Sequence, residues 1–112
     1  MDREEIEFEV AVGGPDGAVI APRGELDIAT QGVLRDALER QAARGAVTLD
    51  LSGLRFLDTS GLRLVLQTAE AARREGFAFS VVPGIPAVQR MFEVAGVTDL
   101  IPFRDREDGA GS

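Results

Sequence analysis

Residues 56–62 read Phe56-Leu57-Asp58-Thr59-Ser60-Gly61-Leu62. An apolar pair ends at the aspartate, two hydroxyl residues and a glycine follow, and a helical apolar stripe then begins. The stretch therefore reads as the end of a strand and the start of a helix. Asp, Ser and Thr are the residues expected at such a boundary. Their oxygens accept hydrogen bonds from the N–H groups that a helix leaves unpaired in its first turn. The plainest reading is a helix cap. A second reading starts from position, because open α/β sheets engage ligands and partners at the carboxyl ends of their strands. A phosphorylated hydroxyl there would meet free N–H donors and the positive end of the helix dipole. It would also add about −1.5 to −2 charges beside Asp58, enough to repel an acidic surface. The two readings are compatible, since one residue can cap while its neighbour is modified.

Working backwards, Ala46–Leu51 alternates as a strand, and Ser52–Asp58 continues from it to the junction. Before it, Gly24-Glu25-Leu26-Asp27 leads into a helical pattern reaching about Arg44, with Leu34, Ala37, Leu38 and Gln41 on one face. Asp27 is placed to cap that helix and Gly45 to stop it. Ile6–Val12 alternates strictly, Gly13–Gly17 is a dense turn signal, and Ala18–Gly24 returns as the second strand of a hairpin. Pro22 predicts that this strand is near its end there or lies at an edge at that point.

Working forwards, Leu62, Val65, Leu66, Ala69 and Ala72 form the core stripe of a helix that stops near Gly76. Leu64, Thr68 and Ala71 fall on a flank of it, beside Arg63 and Gln67. Phe77–Val82 reads as a strand, and Pro83–Pro86 as a turn with Pro86 at a first helical position. Val88, Met91, Phe92 and Ala95 mark a short helix ending at Gly96. Asp99–Phe103 reads as a last short strand. The order is β-β-α-β-α-β-α-β. It predicts one α/β domain over residues 1–103, with a mixed, mostly parallel sheet and right-handed crossover helices. Residues 104–112 form a tail without an apolar anchor, expected to be disordered. No internal repeat or linker is read.

Composition closes off most chemistries. The chain has 112 residues, 45% of them hydrophobic, which suits one domain with a modest core. A net charge of −7 argues against nucleic acid and against an anionic membrane surface. The longest apolar run is too short to span a bilayer, and the acidic N-terminus has no signal core, so a soluble, cytoplasmic protein is expected. There is no Cys, His or Lys. Thiolate nucleophiles, Ser-His-Asp triads, His-ligated zinc and lysine-dependent chemistry are excluded with them. An enzyme built here would rest on paired carboxylates such as Asp27 and Asp58, both of which follow strands. No aromatic platform for a sugar and no Asp-x-Asp-x-Asp-Gly cation loop accompanies them. The expectation is a binding module with no enzymatic activity, cofactor or metal.

Taken together, Gly24–Asp27, the strand Val47–Leu57, the junction Asp58–Leu62, Gly76–Val82 and Pro86–Val97 resemble the STAS domain family. They are most similar to its stand-alone bacterial anti-sigma factor antagonists, over roughly residues 6–103. The resemblance implies that the unmodified protein binds an anti-sigma factor, typically a serine/threonine kinase of the histidine-kinase-like ATPase fold, and so frees a sigma factor. It implies phosphorylation at the hydroxyl directly after the motif's aspartate, which weakens the complex, and reversal by a PP2C-type phosphatase. Carried onto this chain, Thr59 is the phosphoacceptor, with Ser60 as runner-up because the position is often Ser in the family. Asp58, Ser60 and Gly61 complete the motif, and Asp27 lies near the partner surface. Leu64, on its flank beside Thr59, is expected to contact the kinase. Many relatives end in a further helix, which is expected to be missing or rudimentary here, since residues 104–112 carry no apolar stripe. An alternative within the family is an unphosphorylated STAS scaffold or an accessory subunit of a transport complex.

Overall fold

The fold is that of a computed structural model, which describes residues 8–104. β1 (Glu9–Gly13) and β2 (Val19–Leu26) form the antiparallel hairpin, with Glu9 opposite Arg23 and Gly13 opposite Val19. Then follow α1 (Gln31–Ala42), β3 (Ala46–Asp50), β4 (Leu54–Leu57), α2 (Thr59–Glu75), β5 (Ala78–Val82) and α3 (Pro86–Ala95). The sheet order is β1-β2-β3-β5, and β4 pairs in parallel with β2. The predicted single mixed α/β domain is the one observed. Part of the predicted first strand, Ile6 and Glu7, lies outside the described residues, as do residues 105–112 of the predicted tail.

β3 and β4 are two halves of one bent strand. β2 pairs with β3 at Val19 and Ile20, and with β4 from Gly24 to Leu26; the partner bulges away between them. Pro22 sits in that gap. β2 runs on to Leu26, so Pro22 is not at its end, which corrects that half of the expectation; on the side of the gap the strand is unpaired at that point, as the other half has it. Pro22 itself has no partner on the β3/β4 side, the next bond across being Gly24 N–H to Gly53 O at 3.4 Å, so the missing N–H leaves no ladder bond unmade and a proline is tolerated inside the strand.

The last predicted strand is also corrected. Residues 98–100 form a 3₁₀ turn, and a single parallel bridge joins Val81 to Phe103. Val81 N–H donates to Pro102 O at 3.0 Å and Arg104 N–H to Val81 O at 2.8 Å. Pro102 has no N–H, so the bridge cannot grow into a ladder.

All three helices pack into one core on one face of the sheet. Ile20, Leu26, Leu34, Leu49, Leu57, Val65, Val81, Val88 and Phe92 are fully buried there. Leu34, Ala37, Leu38 and Gln41 are the buried residues of α1, as their spacing predicts. Gln41 meets the cost of burial by donating its amide to Ala46 O at 3.2 Å. In α3, Val88 and Phe92 are buried, whereas Ala95 is exposed and does not join the predicted stripe. The opposite sheet face carries a polar cluster. Thr48 and Ser80 hydroxyls lie 3.3 Å apart, and the Arg104 guanidinium donates to both.

Candidate functional site

Three parallel strand ends open onto the same edge: β2 into the loop at Asp27–Thr30, β4 into α2, and β5 into α3. The β2–β4 rung Leu26–Leu57 fixes the first two together, and Asp58 N–H donates to Leu26 O at 3.1 Å.

Asp58 is the N-cap of α2, in extended backbone conformation. Its Oδ1 accepts from Ser60 N–H at 2.9 Å, Gly61 N–H at 3.1 Å and the Ser60 hydroxyl at 2.7 Å. Partial burial pushes the Asp58 carboxyl up. Hydrogen bonds from the Ser60 hydroxyl and from the amides of Gly61, Ser60 and Ile28 together outweigh it, leaving the group below its ordinary value of 3.8. A carboxyl held ionised in this way is no proton donor at neutral pH, which weighs against a general-acid role for Asp58. Gly61 is required by proximity: a Cβ there would lie 2.8 Å from Leu26 Cγ and 3.0 Å from Leu26 O.

The two hydroxyls of the motif differ in what they do. Ser60 is half-buried and its proton is committed to Asp58. Thr59 is the first residue of α2, exposed, and its hydroxyl has no hydrogen-bond partner among the described residues.

The same device occurs eight residues earlier. Asp50-Leu51-Ser52-Gly53-Leu54 echoes Asp58-Thr59-Ser60-Gly61-Leu62. Asp50 Oδ1 accepts from Ser52 N–H at 2.9 Å and from the Ser52 hydroxyl at 2.7 Å. There it closes the bulge between β3 and β4, and no helix follows. The aspartate–serine pair is thus a turn-forming unit used twice. What distinguishes the second copy is residue 59, an exposed Thr where the first has the buried Leu51. The echo is readable in the sequence by eye, although no repeat was expected.

Asp27 is not the cap of α1. The helix starts at Gln31, with Thr30 as N-cap. Asp27 instead closes the turn before it, its Oδ1 accepting from Ala29 N–H at 3.0 Å and Thr30 N–H at 3.1 Å. Asp27 N–H donates to Thr30 Oγ1 at 2.9 Å, and that hydroxyl donates to Glu25 O at 2.8 Å. The loop is therefore rigid, and Ile28 projects from it with 76% of its surface exposed. Sequence reasoning passed over Ile28. The signal was an isoleucine outside every apolar stripe.

Leu64 is corrected outright. It is 4% exposed, not on an open flank, and lies with Leu38 between α2 and α1. The buried sector of α2 is wide because two elements cover it, the sheet and α1, so Leu64 and Thr68 are inside. Thr68 satisfies its hydroxyl on Leu64 O at 2.9 Å.

The sheet is covered on one face, and a capped helix start presents an exposed hydroxyl at its carboxyl edge. The family model described as Mlab, STAS domain matches residues 12–102, and the chain belongs to the STAS domain family. It is 29% identical over 96 residues to the anti-sigma F factor antagonist of Paenibacillus polymyxa, covering 82% of this chain and 81% of that one. An anti-sigma factor antagonist from Mycobacterium paratuberculosis superposes with a TM-score of 0.78 at 29% identity, covering 93% and 91% of the two chains. The anti-sigma factor antagonist SpoIIAA in its unphosphorylated form shares the fold, with a TM-score of 0.63 at 22% identity and coverage of 93% of each chain.

Proposed function

We propose that this chain is an anti-sigma factor antagonist switched by phosphorylation of Thr59. The unmodified form binds an anti-sigma factor that is a serine/threonine kinase of the histidine-kinase-like ATPase fold, and so releases a sigma factor. The kinase transfers the γ-phosphoryl group of ATP to Thr59 Oγ1, which loses its proton, and ADP leaves. A PP2C-type phosphatase hydrolyses the ester and restores binding. The protein acts in the cytoplasm; among the described residues no helix is long and apolar enough to cross a membrane. The observation that carries the reading is the contrast between the two hydroxyls: Thr59 exposed and uncommitted, Ser60 tied to Asp58. The names of the similar proteins supply the partner class.

The test is to mix the purified protein with the anti-sigma factor kinase of the same genome and ATP, then map phosphate by mass spectrometry. Phosphate on Thr59, with loss of the complex, is the expected result. Phosphate on Ser60 would keep the switch and move its site. A stable complex with transporter subunits instead, with neither residue modified, would support the alternative of an unphosphorylated accessory module.

A further inference from the structure

The motif holds two hydroxyls side by side, and Asp58 treats them differently. As the N-cap of α2, its side chain reaches the amides two and three residues on, those of Ser60 and Gly61, and passes residue 59 by. Its Oδ1 also accepts from the Ser60 hydroxyl at 2.7 Å, the length of a hydrogen bond to an ionised oxygen. Asp50 and Ser52 form the same pair at 2.7 Å, with no helix behind them and with Ser52 exposed. The pairing therefore belongs to the Asp-x-Ser unit and does not depend on burial. In both copies the middle residue is left out of it: Leu51 is buried, and Thr59 is exposed with no hydroxyl partner among the described residues.

We propose that Asp58 selects the acceptor: it locks the Ser60 hydroxyl and leaves Thr59 as the one hydroxyl of the motif open to phosphoryl transfer. The inference rests on the function proposed above and deepens it. In the transfer, a hydroxyl oxygen forms a bond to the γ-phosphorus of ATP and the bond from that phosphorus to the β,γ-bridging oxygen breaks. ADP leaves, and the hydroxyl proton passes to a base of the kinase. For Thr59 no hydrogen bond of this chain has to be broken first. For Ser60 the lock acts at both ends of the reaction. Before transfer, its hydroxyl must give up a bond to a carboxylate. After transfer, a phosphoryl dianion would sit on the oxygen that lies 2.7 Å from Asp58 Oδ1, and the two like charges would repel.

Asp58 does not undo this by drawing the proton off Ser60 itself. Burial pushes its carboxyl up, but the Ser60 hydroxyl and the amides of Gly61, Ser60 and Ile28 outweigh that and hold it below its ordinary value, so it is a weak base. It acts through Ser60 and is a positioning residue. The consequence is a switch with two states, one phosphate or none, in a motif that carries two hydroxyls.

The experiment incubates wild type, Thr59→Ala, Asp58→Ala and Asp58→Asn with the purified anti-sigma factor kinase of the same genome and ATP. Phosphate on residues 59 and 60 is followed in time by mass spectrometry, with melting temperatures measured alongside. Wild type is expected to carry phosphate on Thr59 alone. Thr59→Ala keeps the lock, so its Ser60 should be modified at least about tenfold more slowly than Thr59 is in wild type. Asp58→Ala frees the Ser60 hydroxyl and should take phosphate on both residues. Asp58→Asn keeps an acceptor oxygen for that hydroxyl and should return to Thr59 alone. A general loss of structure would lower modification at both sites, whereas only a released lock creates a new one. Phosphate on Ser60 in wild type, or faster modification of Ser60 in Thr59→Ala, would overturn the proposal. These two proteins keep Asp58, so they decide the matter whatever Asp58→Ala costs in stability. Phosphate on Thr59 alone in a folded Asp58→Ala would also overturn it, leaving exposure as the cause. So would no phosphate at all there, which would make Asp58 a recognition residue for the kinase. Asp58→Asn modified on Ser60 as readily as Asp58→Ala would overturn the hydrogen bond as the lock. Wild type left unmodified on both residues would instead remove the functional reading, and this inference with it.

Discussion

One carboxylate oxygen organises the motif. Asp58 Oδ1 takes three donors, two amides and the Ser60 hydroxyl, while the Asp58 amide ties α2 to the end of β2. Replacing Asp58 by Ala is expected to cost about 1 kcal/mol in urea unfolding, the usual cost of losing such a cap. Because the folded-state pKa is depressed, this contribution is complete above the unfolded value of 3.8 and is lost as pH falls through the folded value. The stability gap between wild type and Asp58→Ala should therefore be constant near neutrality and narrow below about pH 4. Thr59 behaves oppositely. Thr59→Ala should stay within about 0.5 kcal/mol of wild type, since it removes an exposed, unbonded hydroxyl. Thr59→Glu places an acid in the first turn of α2, where the dipole favours it by about 0.3–1 kcal/mol. Loss of kinase binding in Thr59→Glu, with stability kept or raised, would locate the switch at the interface; a parallel loss of folding would mean that residue 59 is structural.

At the scale of elements, α2 is the piece on which the site depends. Its C-terminus is closed by Gly76 in the left-handed region, φ 88°, with its N–H donating to Ala72 O. Its N-terminus rests on Leu26 through Gly61. Gly61→Ala should destabilise by more than about 1 kcal/mol, because Leu26 must move to admit a Cβ, whereas alanine in an ordinary helix interior gains that amount over glycine. A stability equal to or above wild type would show that Leu26 yields freely. Leu64→Ala should cost about 2–5 kcal/mol by leaving a cavity between α1 and α2, measured by denaturant midpoint. Periodicity made the stripe of α1 legible because that helix has one buried face. It understated α2, since a helix covered from two sides buries Leu64 and Thr68 beyond the single stripe. The cap at Asp58 was readable because strand and helix abut there. Asp27 was misplaced because a closed turn of its own separates it from α1, and a turn built from Asp27 and Thr30 resembles a cap in sequence.

At the scale of the molecule, the break between β3 and β4 was hidden in the sequence, since Val47–Leu57 reads as one continuing strand. The gap lies opposite Pro22, far away in the chain, and only pairing brings the two together. The same holds for the C-terminal bridge, where local alternation suggested a strand and Pro102 forbade one. Removing residues from Pro102 onward should leave the outward backbone groups of Val81 unpaired and take away the edge contact of Phe103 on Phe92, ring centroids 5.2 Å apart. A loss of at least about 1–3 kcal/mol is expected, read from thermal or urea unfolding. An unchanged midpoint would show the segment to be dispensable.

That single bridge also has a mechanical meaning. The segment at 101–104 runs parallel to β5, held by two backbone bonds to Val81 and by the reach of Arg104 to Ser80 and Thr48. A force applied at the C-terminus along the strand loads these few bonds in shear before it reaches the core. The segment should therefore detach as a separate, low-force step, with the helical layer still intact beneath it.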